Sequence, residues 1–405
     1  MKTKYNVGFQ FSLLLFVVFC VPNFKFNGLV FNLYDLLIPI CFILKYMFNG
    51  IKINSCNKKI LIFTIFAFFS LIVNQKITGD YQVSPFLKLY RITYLALVPL
   101  SFDYSYEFVF DKKMMAYVCK LLFINCIFGL LIFHFQVEWF GITEKFMFNG
   151  RYLFRNGGIF GEANSYSVFL VLTCIYLVPL LINFDKQNAI SKIFQIVTFG
   201  LALLNILYTD SRTGMVCFLI GMAVIILFSK KSIYEKLIFL ISSVAVLLTL
   251  YLLIPSFNNF IDNRILKYVG NVKELSSGRI DLWKNEWNNW NKNIKNVLIG
   301  YGFRMNYIMD GQNMPNGITD NIYLNILFST GIIGFFLITL WYLDLFKRVL
   351  KSKDNYKMAF LIIFMVAGLF LDILTSTKIL IFISILCNNK KVFNDENSID
   401  LYSNV

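Results

Sequence analysis

Apolar runs long enough to cross a lipid bilayer recur along the whole chain, and they constrain its fold more than any other feature. A transmembrane helix needs about 20 mainly apolar residues. Hydrophobic residues make up 58% of the 405 residues, and the mean hydropathy is +0.64. Soluble globular proteins are about 45–50% apolar. The sequence therefore predicts an all-α polytopic membrane protein.

We expect about 12 spans in a single integral membrane domain that covers residues 1–405. The first run resembles a signal peptide, but no small-x-small cleavage site follows it, so we count it as a span. The last run counts twice because Asp372 and Lys378 interrupt its middle. The runs are Gly8–Val21, Leu29–Phe48, Ile60–Asn74, Phe86–Phe102, Met114–Phe135, Ser165–Phe184, Ile190–Thr209, Thr213–Ser229, Glu235–Pro255, Asn321–Phe346 and Met358–Cys387.

The excess of positive charge predicts how the chain is oriented. There are 38 Lys and Arg against 23 Asp and Glu, a net charge of +15, and most of the lysines lie in short loops between the runs. This is the positive-inside pattern, so we expect no binding of nucleic acid. With both termini in the cytoplasm, the lysine-rich loops lie inside. The segment Arg151–Asn164, the turn Asp210-Ser211-Arg212 and a large loop over residues 256–320 then share the outer face.

The large loop contains a helix signal and a turn signal. Ser277 and Asp281 are typical of a helix start. Ile280, Trp283, Trp287, Trp290 and Ile294 follow at spacings of three and four, which predicts an amphipathic helix. Its tryptophan stripe fits either the membrane interface or ordinary packing against neighbouring spans. Gly300 and Gly302 predict a sharp backbone turn or a close approach to a ligand.

Arginine and acidic residues concentrate on the predicted outer face. The planar fork of arginine matches phosphate oxygens better than lysine does, so Arg212 and Arg279 suggest binding of a phosphate or diphosphate. Arg212 could also cap helix ends or pair with Asp210. Arg155 and Glu162 flank glycines and could bind substrate or simply pair with each other. Asp320 could be a general base or the N-cap of the span that begins at Asn321.

Cysteine and histidine give no sign of a cofactor. The eight cysteines lie mostly in apolar runs and lack CxxC spacing, and there is one histidine. This pattern predicts neither a disulfide framework nor a zinc site. We expect a protein without cofactor or metal.

Several motifs together resemble the O-antigen polymerase (Wzy) and O-antigen ligase superfamily. They are SSGRIDLW, IGYGF and TDNIYLNILFSTGIIG in the C-terminal half, and RNGGIFGEANSYSVFL and YTDSRTG upstream. The resemblance covers roughly Arg155 to Gly334. It implies a bacterial inner-membrane enzyme that transfers a glycan from a polyprenyl diphosphate carrier to a hydroxyl of an acceptor, without a nucleotide sugar or metal.

The resemblance also implies roles for individual residues. Arg212 and Arg279 would hold the diphosphate and stabilise the leaving group, and Asp320 would assist the acceptor. Arg155, Glu162, Asn164, Asn321, Trp283, Gly300 and Gly302 would form the surrounding substrate site. Ligases of this superfamily carry a histidine where this chain has Asp320, and the Asp-Asn pair is a variant that we associate with polymerases.

Three functions are compatible with the sequence. The first is a polymerase that joins lipid-linked repeat units of O-antigen or capsule, with a chain-length regulator as a further partner. The second is a ligase that attaches finished glycan to another acceptor. The third is a flippase or exporter of lipid-linked oligosaccharide. A transporter would place charges around a midplane cavity, often in repeated halves, and the sequence has no internal repeat.

Overall fold

A computed structural model describes most of the chain. The described residues are 7–26, 29–49, 53, 55–78, 83–102, 112–136, 144–148, 151–182, 189–228, 232, 234, 236, 252, 258, 262, 279–302, 307–309, 312–314, 320–352 and 354–387. The predicted span Glu235–Pro255 and most of the predicted loop over residues 256–320 lie outside the described residues.

The described residues are mostly helical, as the composition predicts. The helices are α1 (Val7–Cys20), α2 (Tyr34–Asn49), α3 (Ser55–Thr78), α4 (Val83–Ile92), α5 (Tyr94–Ser101), α6 (Lys112–Phe135), α7 (Ala163–Ile182), α8 (Ala189–Tyr208), α9 (Arg212–Phe228), α10 (Arg279–Trp290), α11 (Ile294–Ile299), α12 (Ile322–Ser352), α13 (Asn355–Phe370) and α14 (Thr377–Cys387). Short strands form three antiparallel hairpins: β1 (Phe24–Phe26) with β2 (Leu29–Phe31), β3 (Glu144–Phe148) with β4 (Arg151–Arg155), and β5 (Tyr307–Met309) with β6 (Gln312–Met314).

Five of these helices are long and apolar enough to cross a membrane: α3, α6, α7, α8 and α12. Helices α1, α9 and α13 are apolar but shorter. Large apolar side chains such as Phe69, Ile196 and Phe336 are more than half exposed, which suits a surface that faces lipid rather than water. The total number of spans stays a prediction.

Two predicted spans have different boundaries in the structure. Leu29–Phe48 is not a single helix, because its first residues form β2 and α2 begins only at Tyr34. Phe86–Phe102 is divided between α4 and α5. The division falls at Thr93, whose backbone N–H donates to Tyr90 O at 3.1 Å and whose hydroxyl donates to the same oxygen at 2.5 Å. These bonds tighten the turn locally.

The run Met358–Cys387 contains two helices, as its internal charges predict. Helix α13 ends at Phe370, a short 3-10 turn occupies Ile373–Thr375, and α14 follows. Both charged side chains are buried at this break. Asp372 Oδ2 accepts from Asn325 Nδ2 at 2.7 Å, and Lys378 Nζ donates to Val21 O at 2.8 Å.

Helices α7 and α9 begin at the same end of the bundle. A Cβ on Gly214 would lie 2.5 Å from the Ser167 Cβ, and a Cβ on Gly221 would lie 3.1 Å from Ile175 Cδ1. The numbers of the contacting residues increase together along both helices, so the two helices are parallel. We call this end the site end.

Helix α12 also begins at the site end. Asn321, just before α12, donates from Nδ2 to Leu369 O at the end of α13, at 3.2 Å. The chain then passes through the break to Lys378, which lies over the ring of Phe160 at 4.8 Å. Because Phe160 lies only three residues before α7, the start of α12, the end of α13 and the start of α7 lie close together.

Candidate functional site

A tight turn between α8 and α9 carries Arg212 at the site end. Asp210 has a positive φ of 51°, a conformation that aspartate tolerates better than most residues. Ser211 is buried, and its hydroxyl accepts from Gly214 N at 3.2 Å, which caps α9. Arg212 is therefore the first residue of α9, half-buried at the edge of the turn.

The side chain of Arg155, at the end of β4, forms hydrogen bonds with this turn and with the start of α7. Its Nε donates to Thr209 O at 2.9 Å, and one terminal nitrogen donates to Asn164 Oδ1 at 2.8 Å and Asp210 O at 3.4 Å. Three segments thus meet on one guanidinium: the end of β4, the start of α7 and the turn before Arg212. These contacts make Arg155 a positioning residue for the turn, and its substrate-binding role stays a prediction.

A buried amide network fixes the segment that follows Arg155. Asn156 Nδ2 donates to Asn205 Oδ1 at 2.8 Å, and the Tyr166 hydroxyl donates to Asn125 Oδ1 at 3.0 Å. The oxygen of Asn156 also accepts from Gly158 N at 3.0 Å. The four polar side chains are almost fully buried, so each depends on these bonds. They hold the glycine-rich segment against α6 and α8.

Glu162 and Asn164 have structural contacts at the start of α7. Glu162 accepts from the Ser165 backbone N–H at 3.3 Å and from the Ser165 hydroxyl, which satisfies a free amide and places a negative charge at the positive helix end. Asn164 accepts from Arg155. Both residues lie beside the turn that carries Arg212.

Arg279 is the first residue of α10 and pairs with Asp320. Its Nε lies 3.0 Å from Asp320 Oδ2, and the side chains are 24% and 37% exposed. The contact joins residues 41 positions apart and brings together two residues that the resemblance placed in one site. The two terminal nitrogens of Arg279 make no hydrogen bond to a residue that the structure describes, and the side chain is partly exposed.

The cap of α12 is Asn321, not Asp320. Asn321 Oδ1 accepts from Tyr323 N at 3.0 Å and Leu324 N at 3.1 Å. Asp320 has a positive φ of 43°, and its carboxylate turns to Arg279 instead. The junction repeats the pattern before α9, where an aspartate with positive φ also precedes the capping residue.

The tryptophan stripe of α10 has a packed part and an exposed part. Trp290 is 4% exposed and lies 6.0 Å from the Phe328 ring of α12, which is ordinary packing. Trp283 and Trp287 line an open cleft of about 360 Å³ between α10 and α12. The predicted stripe ends early, because α10 stops at Trp290 and Ile294 begins α11 with 72% exposure.

The Gly300-Tyr301-Gly302 turn docks on a break in α12. The N–H groups of Tyr301 and Gly302 donate to Phe328 O and Ser329 O at 2.9 and 3.0 Å. Those carbonyls are available because the backbone at Gly331 is not helical, with φ of 66°. Both Gly300 and Gly302 have positive φ. A Cβ on Gly300 would lie 2.2 Å from the Ser329 carbonyl carbon, so this turn needs glycine for a close approach to backbone. Contact of Gly300 and Gly302 with substrate stays a prediction.

Side chains of α3 satisfy the remaining carbonyls of this junction. Ser70 Oγ donates to Ile299 O at 2.5 Å, and Asn74 Nδ2 donates to Gly300 O at 3.1 Å. Lys295 Nζ donates to Asn74 Oδ1, and partial burial lowers the pKa of Lys295. No sequence motif predicted a role for these residues. The signal was present as two polar residues spaced four apart, on one face of an otherwise apolar helix.

The comparison with known protein families bears directly on this part of the chain. Residues 197–339 match the O-antigen ligase family. This O-antigen ligase region includes Arg212, Arg279, the docked glycine turn, Asp320 and the break at Gly331, and it confirms the resemblance to the O-antigen ligase and polymerase superfamily. The family consists of integral membrane, glycosyltransferase-like enzymes that act on lipid-linked glycans. No curated protein matches the chain.

Two charged side chains that the structure describes in the O-antigen ligase region, Arg279 and Asp320, form an ion pair. Among the residues that the structure describes, no three His, Cys, Asp or Glu side chains form a group that could hold a metal ion. Metal independence of the reaction stays a prediction.

Proposed function

We propose that this protein polymerises oligosaccharide repeat units linked to polyprenyl diphosphate, in O-antigen or capsule biosynthesis. It would transfer the growing glycan from its carrier to a hydroxyl of the next lipid-linked unit. The observation that carries the proposal is the contact between Arg279 and Asp320 inside the region that matches the O-antigen ligase family.

Arg279 is suited to bind the diphosphate of the donor. Its Nε is occupied by Asp320, which fixes the plane of the guanidinium, while its terminal nitrogens have no partner among the described residues. Two parallel N–H groups match two phosphate oxygens. As the bond between sugar and diphosphate breaks, negative charge grows on the leaving oxygen, and a preorganised cation stabilises that charge. Arg212, at the same end of the bundle, would add a second cation.

Asp320 can serve this reaction in two ways. It can orient Arg279, or it can accept the proton of the acceptor hydroxyl. Asp320→Asn separates the two roles, because the amide oxygen still accepts a hydrogen bond from Arg279 Nε but the side chain no longer accepts a proton. If Asp320 only orients Arg279, the variant keeps most of its activity at every pH. If Asp320→Asn loses activity at every pH but still binds the donor, Asp320 is the general base.

A ligase is the second candidate, because the matching family is described as O-antigen ligase. A polymerase and a ligase use the same donor and differ in the acceptor. A flippase is the third class. Arg279 and Arg212 lie near helix starts at the site end rather than in the middle of the long apolar helices, which favours chemistry at one face over transport.

The polysaccharide of a deletion strain distinguishes these functions. The strain is complemented with wild type, Arg279→Ala, Arg212→Ala or the control Arg348→Ala, with membrane levels checked by a tag. Arg348 pairs with Asp344 at 3.1 Å, late in α12, far from the site end. We expect ladders of chain length from wild type and Arg348→Ala, and single repeat units from the other two.

Other outcomes would reassign the protein. Intact ladders that fail only to reach their final acceptor would indicate a ligase. Lipid-linked units trapped on the cytoplasmic side would indicate a flippase. Ladders from Arg279→Ala and Arg212→Ala at normal membrane levels would remove the proposed site.

A further inference from the structure

A cleft begins immediately beside the Arg279–Asp320 pair. It lies between α10 and the first turn of α12 and has a volume of about 360 Å³. Its walls are Ile280, Trp283, Lys284, Trp287, Asn288 and Leu324. Ile280 follows Arg279 in the chain, and Leu324 lies four residues after Asp320, so a molecule held at Arg279 can extend directly into the cleft.

Two indoles form the aromatic wall of the cleft. Trp283 and Trp287 lie four residues apart on one face of α10, about 5–6 Å between Cβ atoms. Trp290 is the most buried of the three tryptophans, and Trp287 also packs on α12, with its ring 6.3 Å from the Phe328 ring. Trp287 nevertheless remains 46% exposed and lines the cleft. The exposed part of this indole is available to a ligand.

The same helix presents polar groups beside the indoles. Lys284 and Asn288 also lie four residues apart and are exposed. Seven of the 12 residues in RIDLWKNEWNNW are charged or amide side chains, so α10 suits contact with water rather than with hydrocarbon. The cleft therefore fits a ligand that is soluble in water but has apolar faces.

A sugar ring has this combination. The C–H groups of a pyranose form an apolar face that stacks on an indole, and its hydroxyls at the ring edge bond to amide and ammonium groups. An isoprenoid chain would cover the indoles but leave Lys284 and Asn288 without partners, and a desolvated polar group without a hydrogen bond is costly. The negative face of the indole also favours the partial positive charge of C–H groups.

We propose that this cleft is the binding site for the donor glycan, with sugar faces on Trp283 and Trp287 and hydroxyls bonded by Lys284 and Asn288. The proposal rests on the function proposed above, because Arg279 must hold the diphosphate to which the first sugar is attached. The glycan then runs from Arg279 along α10.

Binding to purified protein in nanodiscs tests the proposal. One probe is the repeat-unit oligosaccharide released from the polysaccharide of the producing cells, which has neither lipid nor diphosphate. The second probe is inorganic pyrophosphate. The variants are Trp287→Ala, Trp287→Phe, Arg279→Ala and the control Leu282→Ala. Leu282 is exposed on α10 but does not line the cleft.

We expect Trp287→Ala to weaken oligosaccharide binding about 2- to 10-fold, the range for one aromatic contact. Trp287→Phe should recover most of that loss because it keeps a ring, and Leu282→Ala should bind like wild type. All three should bind pyrophosphate normally. Equal oligosaccharide affinity in wild type and Trp287→Ala, or no binding to wild type, would overturn the proposal.

Two further results separate this proposal from the proposed function. If Trp287→Ala weakens binding of a polyprenyl monophosphate in the nanodisc but not of the oligosaccharide, the occupant is the isoprenoid and the glycan proposal is wrong. If pyrophosphate binds equally to wild type and Arg279→Ala, the proposed diphosphate site is wrong, whatever the oligosaccharide does.

Discussion

Replacement of Gly300 by alanine should break the junction that holds α10 and α11 against α12. The new Cβ would lie 2.2 Å from the Ser329 carbonyl carbon, whereas unstrained carbon atoms are about 3.5–4.0 Å apart. The contacted atom belongs to the backbone, so no side chain can rotate away. One of the two chain segments must move by about 1 Å or more.

The energetic cost has two sources. Gly300 has φ of +75° and ψ of −174°, a backbone conformation that is open almost only to glycine and costs another residue about 1–3 kcal/mol. The displacement also weakens the bonds from Tyr301 N and Gly302 N to α12, each with a net value of about 0.5–1.5 kcal/mol. We expect Gly300→Ala to lower the free energy of unfolding by about 2–6 kcal/mol.

An unfolding titration of purified protein in mixed micelles measures this effect. The matched control is Gly200→Ala in α8, where a Cβ meets no atom within 4 Å among the described residues. Alanine is favoured over glycine inside a helix by about 1 kcal/mol, so the control should be neutral or slightly more stable. Coincident transitions for Gly300→Ala and wild type would refute the packing argument.

Two further predictions concern contacts that position the site. Arg155→Ala should reduce glycan transfer by roughly tenfold or more, because it releases the turn that carries Arg212. In an Arg212→Ala background it should cause no further loss of pyrophosphate affinity in nanodiscs, whereas a further loss would make Arg155 a direct ligand. Asn74→Ala and Lys295→Ala should show a coupling free energy of about 0.5–3 kcal/mol in a double-mutant cycle of unfolding, because Lys295 donates a hydrogen bond to Asn74. If the two substitutions change the free energy of unfolding additively, the contact is contradicted.

The sequence predicted the helices and the site motifs better than it predicted their connections. Apolar runs mark helices because burial and lipid contact act along the whole run, and α6, α8 and the break after α13 follow the predicted pattern. The division at Thr93 was missed because it depends on bonds to Tyr90. No pattern in residues 86–102 contains that information.

The site shows the same limit. The resemblance placed Arg279 and Asp320 in one site, but their direct contact depends on how α10 lies along α12, which motif spacing does not reveal. The sequence left Asp320 as either a general base or an N-cap, because aspartate is a good cap; the neighbouring Asn321 caps α12, and Asp320 pairs with Arg279. The glycines of the Gly300 turn and Gly331 were recognisable individually. Gly300 lies against the backbone at Ser329, and Gly331 lies against the backbone at Leu298. These contacts follow only from the three-dimensional fold.

A reconstituted reaction tests the central claim most directly. Purified protein in proteoliposomes receives only repeat units linked to polyprenyl diphosphate, without nucleotide sugar or any second protein. We expect wild type and Arg348→Ala to produce glycan ladders and release polyprenyl diphosphate, and Arg279→Ala to produce neither. A ladder from Arg279→Ala at equal protein level, or no product from folded wild type, would contradict the proposed function.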